Sequence, residues 1–155
     1  MKTLLIMRHG EAGPMQADDA ARLLTDRGRA QAFEMGQWLL ETHAPQAVLV
    51  SPYTRAQQTA LEVKQSNHFV FEETCTDIVP SGSASFAVDY IETLISMNEE
   101  IDSWLIVAHM PIVSYMVDQL VPGEMPIFAT ASVAVLKYDP DTHKASYVGL
   151  HSPSI

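Results

Sequence analysis

The stretch Lys2-Thr3-Leu4-Leu5-Ile6-Met7-Arg8-His9-Gly10 decides how the rest of the chain is read. Its apolar run stops at Arg8, too short for the hydrophobic centre of a secretory signal and far too short to span a bilayer. A brief, continuously apolar run bounded by glycine predicts a strand buried on both faces. Such strands belong to parallel sheets covered by helices on either side. This one delivers a guanidinium and an imidazole at its carboxyl end.

The same pattern recurs outward from that strand. Thr25 predicts the cap of a helix running to about Thr42, with Phe33, Trp38 and Leu39 toward the core. Ala47-Val48-Leu49-Val50 is a second buried strand, closed by Ser51-Pro52, and a helix follows from about Thr54 to Lys64. Phe69-Val70-Phe71 reads as a third strand, and 74–85, with Pro80 and Gly82, as a loop. Residues 86–97 place Ile91, Leu94 and Ile95 on one helical face. Trp104 to Ala108 is the most apolar strand and ends at His109. Pro111 suits the first turn of a helix continuing through Met116 to Leu120. Ser132 to Tyr138 and Ala145 to Leu150, separated by Asp139-Pro140-Asp141, predict a closing hairpin.

Strands alternating with helices predict an α/β fold: a three-layer α/β/α sandwich whose sheet is mostly parallel, with an antiparallel terminal hairpin. No repeat, low-complexity tract or linker appears. With 155 residues, 47% of them hydrophobic, the expectation is a single domain over 1–155.

Composition narrows the partners. Nine Lys and Arg stand against 19 Asp and Glu, a net charge of -10 with neutral histidines. That field repels nucleic acid and anionic membrane, so neither is an expected partner, and any anion site must be a local basic pocket. Cys75, the one cysteine, forms no intramolecular disulfide and no thiol zinc site, and it fits a reducing, cytoplasmic compartment. The 8 methionines are expected to fill the core.

Position singles out the chemistry. Arg8 and His9 follow the first strand, Arg55 comes just after the second, and His109 ends the Trp104–Ala108 strand. Ligands of open α/β sheets sit outside the carboxyl ends of the strands, so residues far apart in the chain meet at one rim. Taken singly, Arg55 is more often a surface helix residue and His109 a satisfied core histidine; their joint placement reverses those odds. Two arginines and two histidines together suit a tetrahedral dianion. Arginine binds two phosphate oxygens with its fork at any physiological pH. A neutral imidazole can attack phosphorus while a second, protonated one stabilises the transferring oxygens. Gly10 lets the backbone turn beside the ligand. His43, His68, His143 and His151 show no such placement, and no ligand pattern supports a metal.

At this point the chain resembles the histidine phosphatase, or phosphoglycerate mutase-like, superfamily. Arg8-His9-Gly10-Glu11 after an apolar strand is similar to its signature, and Leu24-Thr25-Asp26-Arg27-Gly28 to its helix start. Ser51-Pro52-Tyr53-Thr54-Arg55-Ala56-Gln57-Gln58-Thr59-Ala60 resembles its second element, and Val107-Ala108-His109 its second-histidine strand. The short length, Asp19-Ala20-Ala21-Arg22-Leu23-Leu24-Thr25, His109-Met110-Pro111-Ile112-Val113 and Pro122-Gly123-Glu124 look like the compact SixA-type phosphohistidine phosphatases.

The resemblance implies His9 as nucleophile, with Arg8, Arg55 and His109 holding the phosphoryl group and Arg22 at or near the pocket. It implies no metal and no organic cofactor. The implied partner is a histidine-phosphorylated protein domain of the phosphorelay type. Larger relatives carry a glutamate acid in an insertion for which Glu72 to Ser85 is too short. Asp19, then Glu11 and Asp77, are the candidate acids here. The leaving group bears on this. Imidazole, with a pKa of ~6.5 against ~15.7 for water as a stand-in for an alcohol, is better by at most about 12 kcal/mol, so it leaves with little help. The alternatives are a broad phosphomonoesterase, which needs a protonated carboxylic acid, and a non-catalytic phosphoprotein-binding module, which four intact pocket residues argue against.

Overall fold

The computed structural model describes all 155 residues. Strand β1 spans Lys2–Arg8, helix α1 Asp26–Thr42, β2 Ala47–Val50 and α2 Thr54–Lys64. Then come β3 (Phe71–Thr74), α3 (Ala84–Met97), β4 (Ser103–Ala108), α4 (Ile112–Leu120), β5 (Val133–Asp139) and β6 (Lys144–His151). The strands form one sheet in the order β3-β2-β4-β1-β5-β6. The first four run parallel, while β5 lies antiparallel to β1 and β6 antiparallel to β5. The expected mixed sheet with its terminal hairpin is what forms.

Alternation along the central strands builds two cores. Leu4 and Ile6 of β1, with Trp104, Ile106 and Ala108 of β4, point to the face covered by α3 and α4. Leu5 and Met7, with Leu105 and Val107, point to the face covered by α1 and α2. Every one of these side chains is buried. At roughly 1.5–3 kcal/mol for each large apolar side chain removed from water, these two strands anchor the molecule. No helix is long and apolar enough to cross a membrane.

Several local expectations shift. Phe33 is exposed, because the buried stripe of α1 runs through Gly28, Ala32, Met35, Gly36 and Leu39 and leaves position 33 on the outer face. The third strand is Phe71–Thr74 rather than 69–71. Its polar Glu72-Glu73-Thr74 hides a sheet edge, where charged residues commonly sit. Helix α3 starts at Ala84, because the Ser83 hydroxyl accepts the Phe86 N–H at 3.3 Å. Pro111 stands just ahead of α4 rather than in its first turn, and its carbonyl accepts the Tyr115 N–H. Of the methionines, Met1, Met15, Met97 and Met125 are exposed and are not core filler.

Candidate active site

Register brings the functional ends to one level. Arg8 lies opposite Ala108, and the His9 N–H bonds the Ala108 carbonyl at 3.0 Å. The Ser51 N–H bonds the Val107 carbonyl at 3.0 Å. Strands β1, β2 and β4 therefore finish together, and Arg8-His9, Ser51 and His109 emerge side by side. The chain leaves β1 toward α1 on one face and leaves β4 toward α4 on the other, which opens a crevice between adjacent strands. The His9 and His109 ring centroids are 5.1 Å apart.

Gly10 serves this geometry through close approach rather than an unusual turn. A side chain there would strike the Gly28 backbone, and one at Gly28 would strike the Glu11 backbone. The segment after His9 is thus pressed onto the first turn of α1. Its backbone is held by the Thr59 hydroxyl, which accepts the Gly10 N–H at 3.0 Å, and by the Gln31 side-chain oxygen, which accepts the Glu11 N–H at 2.9 Å.

His9 is buried with its ring fixed at both nitrogens. Nδ1 lies 2.6 Å from the Gly10 carbonyl, an acceptor only, so Nδ1 carries the proton. Nε2 keeps its lone pair and accepts from Arg55 Nε at 3.2 Å. Burial, reinforced by Arg55, Arg8 and Arg22, pushes the pKa down to about 4 against the pull of the Gly10 bond. At neutral pH this imidazole is uncharged and nucleophilic.

His109 corrects one expectation. Burial first, then His9 and Arg55, push its pKa down to about 3, so at neutral pH it is a neutral ring rather than a protonated one. Its Nε2 lies 2.7 Å from the Ser51 hydroxyl, while Nδ1 is buried with no partner. The positive charge of the site is therefore arginine's alone. Arg8 donates from one terminal nitrogen to the Phe128 carbonyl at 2.8 Å and keeps a buried Nε without a partner. Arg55 is 4% exposed; its terminal nitrogens reach the Asp19 carbonyl at 2.7 Å and the Asp19 carboxylate at 3.1 Å. Arg22 also reaches Asp19, at 3.1 Å, and grips the Gly13 carbonyl with two nitrogens.

The candidate acids separate. Asp19 joins the site, and hydrogen bonds from Arg22 and Arg55 hold its carboxyl below the usual range, which favours the ionised form. Glu11 turns to the start of α1, where it accepts from the Thr25 hydroxyl at 2.8 Å and Arg27 at 2.6 Å. Those bonds, Thr25's first, lower its pKa as well, and its place is structural. Asp77 is exposed on a short 3-10 turn. Two residues that the sequence reading left without roles belong here. Ser51 obeys the same strand-end rule that picked out His109. The Tyr53 ring packs against His109, with centroids 5.1 Å apart, and the Arg55 guanidinium lies 5.1 Å from its centre.

The chain is similar to known proteins in both sequence and fold. Residues 4–74 match the model of the histidine phosphatase superfamily, branch 1. The phosphohistidine phosphatase SixA homolog of Haemophilus influenzae is 41% identical over 146 residues, covering 88% of each chain. Phosphohistidine phosphatase SixA of Escherichia coli is 35% identical over 88% of this chain and 85% of its own. The structure of the protein histidine phosphatase SixA complexed with tungstate superposes with a TM-score of 0.90 at 33% identity, covering 97% of both chains.

Proposed function

Because the chain belongs to the histidine phosphatase superfamily, we propose that it is a phosphohistidine phosphatase working through a covalent phospho-His9 intermediate. The observation that carries this reading is the state of His9: a neutral ring, Nδ1–H tied to Gly10, Nε2 presenting its lone pair beside Arg55. In the first step Nε2 bonds to phosphorus as the bond from phosphorus to the partner's imidazole nitrogen breaks. That imidazole, protonated on its other nitrogen, departs as the neutral base. In the second step water attacks phosphorus, the bond to Nε2 breaks, and inorganic phosphate leaves with His9 restored.

Arg8 and Arg55 bind and neutralise the phosphoryl oxygens, Arg22 supports them from the loop, and His109 donates one hydrogen bond. Phosphoryl transfer asks mainly for such positioning and charge. The guanidinium groups supply it, so the scheme uses no metal ion or organic cofactor. With Asp19 and Glu11 both held ionised, an alcohol leaving group lacks its acid while an imidazole needs none. This favours a histidine-phosphorylated domain, of the kind that relays phosphate in signalling, over sugar or nucleotide monophosphates. The buried thiol of Cys75 fits a reducing cytoplasm.

Incubation with a radiolabelled histidine-phosphorylated phosphotransfer domain, quenched in alkali and digested, is expected to place phosphate on the His9 peptide. Wild-type turnover by His9→Ala, or equal turnover of sugar monophosphates, would overturn the reading.

A further inference from the structure

The Ser51 hydroxyl is fully buried and touches two groups. It accepts the Tyr53 backbone N–H at 3.2 Å and lies 2.7 Å from His109 Nε2. Backbone bonds fix its position on both sides: its N–H goes to Val107, and its carbonyl accepts from the Gln57 side chain at 2.9 Å. The hydroxyl has one proton to give, and the neutral ring of His109 has one N–H. Only two arrangements are open. If Nε2 carries the ring proton, the hydroxyl proton faces no acceptor and the Nδ1 lone pair faces no donor, which leaves two buried orphans. If the hydroxyl donates to Nε2, every group but one is satisfied, and that one is an Nδ1–H donor. Each orphan costs about 1–3 kcal/mol, so the second arrangement wins.

We infer that Ser51 is a positioning residue for the phosphatase reaction: its hydroxyl donates to His109 Nε2 and so locks His109 as the Nδ1–H tautomer. The single buried polar atom left over is then a hydrogen-bond donor, the kind a phosphoryl oxygen takes. This explains how a ring too buried to carry charge still serves an anion. It needs no proton from solvent, only the right tautomer. Tyr53 completes the device: its backbone holds the hydroxyl while its ring packs on His109. The inference rests on the phosphatase reading for its consequence but not for its geometry.

The test has two arms. Long-range nitrogen–proton correlation spectra of the unliganded wild type, with His109 assigned through His109→Gln, report the tautomer directly. The expected result is protonated Nδ1 and unprotonated Nε2; protonated Nε2 overturns the inference whatever the protein's activity. In the second arm, hydrolysis of p-nitrophenyl phosphate is followed in Ser51→Ala. Loss of the lock is expected to lower kcat ~10-fold or more with little change in KM, in the spirit of a misdirected oxyanion donor. On a His109→Gln background the same substitution is expected to cost nothing further. An equal loss on both backgrounds makes Ser51 merely structural. A wild type inactive on every phosphate ester and phosphohistidine, but with His109 protonated at Nδ1, removes the proposed function and leaves the tautomer standing.

Discussion

Asp19 accepts one N–H from each terminal nitrogen of Arg55, through its carbonyl at 2.7 Å and through its carboxylate at 3.1 Å. The third nitrogen donates to His9. An incoming phosphoryl group therefore shares this guanidinium with a carboxylate, since each terminal nitrogen keeps a second N–H to donate. Asp19→Asn keeps the loop's backbone contact and removes the competing charge. The Asp19 side chain is 39% exposed, so solvent screens the pair to about 1 kcal/mol at most. Tungstate or phosphate is expected to bind ~5-fold tighter to the variant in titration calorimetry. A ~10²-fold fall in kcat with unchanged affinity would instead assign Asp19 a proton-transfer role.

Acid is expected to weaken the fold through the two site histidines. Both are buried neutral, with pKa values pushed down to about 4 for His9 and about 3 for His109. The unfolded chain takes up protons on both below about pH 6.5 while the native state does not. Stability is thus unaffected above pH 6.5 and falls as pH drops from there toward 4, by up to ~1.4 kcal/mol per pH unit for each histidine. Urea denaturation at pH 7, 6 and 5 reads the slope. His9→Gln combined with His109→Gln is expected to flatten it, and an unaltered slope in that variant means other groups set the acid limit.

Gly28→Ala tests how closely the catalytic segment is pressed onto α1. The added methyl meets the Glu11 backbone, which has no flexible end to move aside. A loss of about 3 kcal/mol in stability is expected, with lowered turnover because the displaced segment carries His9. Thermal unfolding and hydrolysis rates measured together decide it; a variant as stable and active as wild type contradicts the contact.

Glu11→Gln is expected to keep turnover within ~2-fold, since that carboxylate serves Thr25 and Arg27 rather than the phosphate. Thr25→Ala removes the hydroxyl that accepts the Gly28 N–H at 3.0 Å, and the urea midpoint is expected to drop by an amount worth ~1 kcal/mol. A ~10²-fold slower Glu11→Gln with an unchanged midpoint would return Glu11 to the list of acids.

The central strands were plain in the sequence because burial on both faces leaves unbroken apolar runs, as in Leu4–Met7 and Leu105–Ala108. Strand β3 was misplaced because an edge strand is free to carry Glu72 and Glu73, which masks its period. Positions Arg8, His9, Arg55 and His109 followed from one rule about strand ends. The protonation of His109 did not, because a pKa depends on burial and on neighbours that only the folded chain brings together. The roles of Asp19 and Glu11 are hidden for the same reason: both are carboxylates on the connection between the first strand and α1, and only the folded chain shows which guanidinium each one faces.

Strand β4 lies between β1 and β2 and hydrogen-bonds to both. His9 follows β1 and Arg55 follows β2, yet those two strands share no ladder of their own. Residues 103–108 are thus the only backbone ladder that joins the two halves of the phosphate site, which otherwise meet through side chains such as Thr59 and Arg55. A substitution that loosens β4 is consequently felt at both halves of the catalytic centre at once, although none of the phosphate-binding arginines lies on that strand.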